Sequence, residues 1–316
     1  MEPSHSTFTK QIIIDACWNR LEVRLGLESS SGCVDFHQVN VSVNSIPVGW
    51  NWFFGTNTTL RGTMVAPETM TAEDLAVVGG QWKASLLRWR IKDTCLESTN
   101  VSTWWPVMKQ NLERMERLTA NFIALKVKLV VNFFTIPGGK WADTGATRLA
   151  FSTEMQDAFV EVWRQITLRY KDKHDEYIIW AFDLLNEPNW INNHTSAPIV
   201  TWPQLAERAS RAIYAIDPKR VILVTFEHWG NVDGAPTFPI LLPTVVYTFH
   251  YYHPMCITHQ GIFLEYPYGI PYPASNISSC VPYTAWNAQV IRKDMQPAFT
   301  VLNRFHLAGA IGEWSG

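Results

Sequence analysis

The five cysteines of this 316-residue chain form no Cys-x-x-Cys pair, so a structural zinc site is not expected. No run of lysine and arginine stands out, and the formal net charge is only −2. Without a basic field to gather phosphates, a nucleic-acid partner is not expected either. No segment holds the roughly 18 consecutive apolar residues that a membrane-spanning helix needs. The start, "MEPSHSTFTK", lacks the basic-then-apolar layout of a secretory signal. Internal repeats and low-complexity linkers are missing too, and no glycine-rich phosphate fingerprint follows an early strand. The sequence therefore calls for no cofactor and no metal, and it carries no address; a secreted or periplasmic location is only suspected.

What is present is apolar mass. Hydrophobic residues make up 47% of the chain, with 15 Trp, 10 Tyr and 16 Phe, enough to bury a large core. Most of these rings belong in that core, while those on loops could offer flat faces to sugar rings. Asn-x-Ser/Thr acceptors occur at Asn40, Asn57, Asn100, Asn193 and Asn276, a pattern that fits a secreted eukaryotic protein and also arises by chance. Cys256 and Cys280 bracket one loop-like stretch and could pair in an oxidising compartment.

Near-continuous apolar runs at 83–91, 126–134, 177–185, 220–226, 244–250 and 307–314 read as strands covered on both faces. Amphipathic helices lie between them. "TAEDLAVVGGQW" opens with Thr71 three residues before Asp74, as a capping box does. "STEMQDAFVEVWRQITLRY" spaces Met155, Phe159, Val162 and Ile166 at helical intervals. Strand and helix alternating at this spacing mean parallel βαβ units, and their number favours a (β/α)8-type TIM barrel over a doubly wound sheet. A first barrel strand is expected within residues 45–55. Residues 1–44 alternate apolar and polar with period two and read as a small N-terminal β appendage, which leaves 45–316 as the barrel domain.

In a parallel barrel the residues at the C-terminal strand ends line the active-site mouth. Two apolar runs end there on glutamate, "DLLNEP" at Glu187 and "AIGEW" at Glu313. A pair of carboxylates suits glycosidic bond cleavage, in which one donates a proton and the other supports the anomeric carbon. Asn186 precedes Glu187, "YTFHYYHP" puts His250 and Tyr252 on one face, and "LLRWRI" places Arg88 near an early strand end. Arg and Tyr would hold Glu313 ionised, and apolar walls would raise Glu187 towards a proton donor. Glu227 is the rival carboxylate. A metal reading built on His250 and His253 with Glu227 and His228 is disfavoured, because positions 250 and 253 face opposite sides of a strand.

These motifs together resemble glycoside hydrolase family 5, the cellulase-like β-glycosidases. "AFDLLNEPN", "YTFHYYHPMCITHQG" and "AIGEW" look like its fourth, sixth and seventh strand motifs, and "WKASLLRWRI" resembles its second-strand arginine motif. The resemblance implies Glu187 as acid/base and Glu313 as nucleophile of a retaining enzyme. It also implies that Asn186 meets the sugar 2-hydroxyl, with Arg88, His250 and Tyr252 ordering nucleophile and sugar. The implied substrate is a β-linked glucan, with mannan as the other possibility, and loop aromatics such as Trp190, Trp229, Tyr266, Tyr268 and Trp314 are candidate platforms. Proline at 188 fits the motif's abrupt strand end, since it cannot continue a sheet ladder.

Two features depart from the family pattern. Phe134 stands where the family usually carries a histidine before Pro-Gly-Gly, which implies altered recognition of the glycone. The family's eighth strand would follow Glu313, and only three residues do so here. The expectation is a barrel lacking its last strand and helix, with exposed edges, poor solubility and a low, broad melt. A monomer is expected if the barrel closes. A second reading from another class stands beside the enzyme: a sugar-binding barrel remnant with weak or no turnover.

Overall fold

The structure is a computed structural model, and it describes residues 62–65, 67–142, 146–173, 179–190, 198–262 and 285–314. Seven strands form one parallel sheet in sequential order: β1 (Gly62–Val65), β2 (Leu86–Ile91), β3 (Lys128–Phe133), β4 (Ile179–Asp183), β5 (Val221–Thr225), β6 (Val245–Tyr251) and β7 (Ala308–Trp314). Six of them coincide with the six apolar runs of the sequence, β6 reaching one residue further, to Tyr251. The first does not. The segment 45–55 lies outside the described residues, and the strand that pairs with β2 is Gly62–Val65, in register from Gly62 opposite Leu86 to Val65 opposite Trp89. Four residues, GTMV, give neither a period nor an apolar run to read. The appendage proposed for 1–44 also lies outside the described residues.

Strand alternation divides the apolar runs between two faces. Leu87, Trp89, Val131, Phe133, Ile222, Val224, Tyr247 and Phe249 point outwards into a large cluster shared with the helices. Val130, Ala181, Val221, Leu223 and Val246 point inwards and form a second, smaller cluster that fills the sheet's concave side. Above that inner apolar layer, towards the C-terminal strand ends, the inward positions turn polar. Arg88, Asn132, Asp183, Thr225, Thr248 and His250 are all buried.

The helices that cover the outer face form for local reasons. Helix α1 (Ala72–Leu75) starts at the expected capping box, with Thr71 and Asp74 exchanging hydrogen bonds, and then widens into a π-helical stretch over Ala76–Gln81. Helices α2 (Trp104–Glu116) and α3 (Thr119–Leu125) precede β3. Helix α4 (Thr153–Tyr170) is capped by Ser152 and buries Met155, Phe159, Val162 and Ile166, the residues that the 3.6-residue period selects. It docks through aromatic pairs: Phe133 lies 5.6 Å from Phe159 and 5.7 Å from Trp163, and Trp163 lies 5.4 Å from Phe182. Such pairs add about 0.5–1.5 kcal/mol each beyond the area they bury. Helix α5 (Trp202–Ile216) packs beside α4. The short α6 (Met255–Thr258), α7 (Ala288–Asp294) and α8 (Gln296–Arg304) lie between β6 and β7. No described helix is long and apolar enough to cross a membrane. Cys256 in α6 is held in a disulfide whose other half lies outside the described residues, and Cys95 is free.

Candidate active site

The polar layer at the C-terminal end of the sheet is a connected network. Arg88, third residue of β2, donates from Nε to Asp183 Oδ2 at 2.7 Å and from Nη1 to Glu313 Oε1. Tyr252 donates its hydroxyl to Glu313 Oε2 at 2.7 Å. The His250 ring sits between the two glutamates, its Nδ1 3.0 Å from Glu187 Oε1 and 3.7 Å from Glu313 Oε2. An atom each of Glu187, His250 and Glu313 lies within 4.8 Å of the others. Four strands therefore deliver side chains to one spot, although their residues lie far apart in sequence.

Two register shifts make this convergence possible. In β4, Ile179 faces Leu129 while Ala181 faces Val130. The skipped Trp180 moves the strand from the outer cluster to the inner one, and Asp183 follows Ala181 onto the inner face. In β7, Ile311 pairs with Phe249 but Glu313 pairs with His250. Gly312 is the extra residue of a bulge, and if the strand kept its regular alternation through 312 Glu313 would point outwards with Ile311. A Cβ at 312 would stand 3.1 Å from the His250 ring atoms Cδ2 and Nε2, so the bulge sits close against the imidazole.

Glu187 follows β4 in a loop and holds φ at 45°, a left-handed conformation that costs a non-glycine residue on the order of 1 kcal/mol or more. The surroundings fix it. Asn186 donates its backbone N–H to Phe133 O at 2.8 Å, and the Pro188 carbonyl accepts from Trp229 N–H at 3.3 Å. The β5 loop that supplies this donor is itself left-handed at His228, Trp229 and Gly230. Gly230 lies so close to His250 that a Cβ there would meet its Cγ at 3.1 Å. Rather than an apolar wall, Glu187 has His250 as its near neighbour, and about a third of its side chain is open to solvent.

Charge is distributed unevenly between the carboxyls. Burial pushes Glu313 up, but electrostatic attraction from the neighbouring His250 ring and Arg88 guanidinium and the hydrogen bonds from Tyr252 and Arg88 outweigh it and hold the carboxyl below its ordinary range. Burial pushes Asp183 up against the pull of Arg88. Arg88 itself is raised: desolvation works against the cation, and the two carboxylates more than offset it. Burial and the Glu313 carboxylate together raise the Tyr252 phenol, which stays a donor.

The structure brings together five of the residues singled out from sequence: Arg88, Glu187, His250, Tyr252 and Glu313. Asn186 is buried beside them, and its Oδ1 has no hydrogen-bond partner among the described residues. The two tryptophans sit differently. Trp190 packs on Trp202 at 5.6 Å and donates its Nε1–H to Val200 O. Trp314 is 71% exposed and, as the residue after Glu313 in a strand, faces the opposite side of the sheet. Trp229 is exposed next to the Glu187 loop, and Tyr266 and Tyr268 lie outside the described residues. Phe134 has the Arg90 guanidinium over its ring at 4.7 Å. The rival carboxylate Glu227 follows β5, shares none of the hydrogen bonds of this network, and is raised by burial.

One functional residue escaped the sequence reading. Asp183 ends β4 and anchors Arg88, backed by Thr225 Oγ1 at 3.4 Å, which in turn lies 3.0 Å from Thr248 Oγ1. Its only signal was a charge inside the apolar run "AFDLL". As to metals, Glu187, His250 and Glu313 offer three donor atoms in reach of one ion. Glu313 already receives Arg88 and Tyr252, and the guanidinium opposes a cation there. His253 turns to Asp294 instead, as the strand alternation of 250 and 253 requires.

Known proteins share this architecture and stretches of this sequence. Endoglucanase C of Acetivibrio thermocellus is 24% identical over 190 residues, 54% of this chain and 53% of that protein. Cellodextrinase A of Ruminococcus flavefaciens is 28% identical over 162 residues, 49% of this chain and 44% of that protein. The chain spans about half the length of the curated relatives it matches. Among solved structures, Thermotoga maritima Cel5A in complex with cellobiose, in a mutant form, superposes with a TM-score of 0.58 at 19% identity over 86% of this chain and 82% of that one. A structure described as a glycoside hydrolase gives 0.58 at 22% identity over 81% and 78%. The family model for cellulase, glycosyl hydrolase family 5, matches residues 43–316, and the chain belongs to that family.

Proposed function

We propose that the protein hydrolyses β-linked glucans with retention of configuration, with Glu313 as nucleophile and Glu187 as acid/base. The observation that carries this reading is the carboxylate spacing. One oxygen of Glu187 and one of Glu313 lie within 4.8 Å of each other, which fits the roughly 5–5.5 Å between the carboxyl groups of retaining glycosidases better than the roughly 6.5–9.5 Å that an inverting enzyme keeps open for water. The charge distribution supports the roles. Arg88 and Tyr252 keep Glu313 an anion, fit to attack the anomeric carbon, while Glu187 faces the imidazole that can exchange a proton with it.

In the first step Glu313 bonds to the anomeric carbon as Glu187 gives its proton to the departing oxygen. In the second, Glu187 takes a proton from water, which displaces Glu313 and restores both groups. The unpartnered buried Oδ1 of Asn186 is suited to accept from a sugar hydroxyl next to the reacting carbon. That its relatives are an endoglucanase and a cellodextrinase supports glucan over mannan. The test is mass spectrometry after incubation with 2-fluoro-cellobioside and 2-fluoro-mannoside inactivators. One 2-fluoro-cellobiosyl group on the Glu313 peptide is expected. A folded protein that binds cello-oligosaccharides but takes no label and turns nothing over would instead be the inert sugar-binding barrel.

A further inference from the structure

The chain on either side of Tyr252 is pinned to one carboxylate. Asp294, the last residue of α7, accepts from the Tyr251 hydroxyl at 3.0 Å and lies 2.7 Å from His253 Nδ1, both through Oδ2. Its side chain is only 10% exposed. Residues 251 and 253 flank Tyr252 and point to the side opposite it, so a single group holds the two neighbours while Tyr252 reaches the other way to Glu313. The backbone of Tyr252 is fastened too, its carbonyl accepting from Thr258 Oγ1 at 2.6 Å. Behind the His253 ring stands the fully buried Trp286, 6.1 Å away and edge-on.

We propose that Asp294 is a positioning residue that sets the place of the Tyr252 hydroxyl on Glu313 by clamping Tyr251 and His253. Neither Asp294 nor the tyrosine before Tyr252 faces the substrate side, and their effect passes through one hydrogen bond. A phenol that drifts by about 1 Å loses that bond, and such misplacement costs up to about a hundredfold in rate. The proposal rests on Glu313 being the nucleophile for its kinetic consequence, but its structural content does not.

The test is a double-mutant cycle on the whole chain with Asp294→Ala, Tyr252→Phe and the pair, assayed on an aryl β-cellobioside. Asp294→Ala is expected to lower kcat roughly tenfold with KM changed by less than about twofold. In the Tyr252→Phe background the same substitution is expected to do nothing more. Equal losses in both backgrounds, or no loss in either, would overturn the proposal. If Asp294→Ala does not fold, Tyr251→Phe and His253→Gln, each removing one half of the clamp, replace it in the cycle under the same criteria.

A second readout does not need turnover. In protein carrying 13C-labelled glutamate, the Glu313 side-chain carboxyl is titrated in the presence of the ionisable groups that face it, Arg88, His250, Glu187, Tyr252 and, behind the arginine, Asp183. Asp294→Ala is expected to raise its midpoint as far as Tyr252→Phe does, and an unmoved midpoint contradicts the clamp. Should the wild-type protein take no fluoro-sugar label, the catalytic reading fails and this titration alone decides the clamp.

Discussion

Arg88 is the residue on which the site's charges balance. It is the only cation held between Asp183 and Glu313 among the described residues, and both carboxylates are buried. Replacing it with methionine leaves two desolvated carboxylates facing each other, a change that typically costs about 3–5 kcal/mol. Arg88→Met should therefore lower the midpoint of urea unfolding, and unchanged stability would show that solvent already screens the pair. The sign at Glu313 is also fixed. Its carboxyl is held low by the groups around it, so its anion contributes stability above the unfolded-state value, and that contribution is lost as pH falls through the folded one. With Glu313 as the proposed nucleophile, the acid limb of kcat/KM is expected to report the same group. Tyr252→Phe removes a hydrogen bond to the anion and should move that limb to higher pH; a limb that stays in place would assign it to another acid. At this scale the charged residues that close apolar runs were legible, but not all alike: Glu187 and Glu313 join the network, whereas Glu227, which closes the run at 220–226, does not. The sequence was silent on Asp294, which sits at the end of the polar helix "AQVIRKD" and matters only through Tyr251 and His253.

The elements show why a strand's residue count alone misleads. Period-two alternation from Ala308 puts Glu313 on the outer face and alternation from Ile179 does the same to Asp183, yet one extra residue in each strand turns both inwards. No pattern in "AIGEW" or "IWAFD" announces those shifts, because the bulge is set by the neighbouring strand. By contrast, α4 was legible to the residue, since its cap and its apolar stripe are local. Phe159 illustrates the stripe: fully buried against Phe133, it should cost about 3–5 kcal/mol when cut to alanine. Chemical denaturation measures that loss, and a value under about 1 kcal/mol would mean that the helix is not docked there. Gly312→Ala tests the bulge. The added methyl meets the His250 ring at 3.1 Å, so the imidazole must shift by a few tenths of an ångström. The fold should survive while kcat/KM falls about tenfold. Full activity in this variant would show that His250 has room to move.

On the scale of the whole molecule, the question is what the sheet does at its two ends. Its order runs from β1 to β7, and no described strand pairs with the outer edge of either. The interior strands β3 to β6 bury nearly every residue, whereas along β7 the outward positions Gly309, Ile311 and Trp314 are exposed. Ile311 and Trp314 are 44% and 71% open to solvent, and the neighbouring Phe299 of α8 is 38% open. An edge that is both unpaired and apolar is a template for another chain, and natural edges are blunted by a lysine or a proline that β7 does not carry. The described chain should therefore self-associate as its concentration rises, through backbone pairing at β7 and apolar contact across Ile311. Ile311→Lys places a charge on that outward position and leaves the inward face with Glu313 in place. Light scattering on a dilution series should show the wild-type average mass climbing with concentration and the variant's staying flat. A wild-type mass that is constant at the monomer value would mean that β7 is covered in solution by another part of the chain.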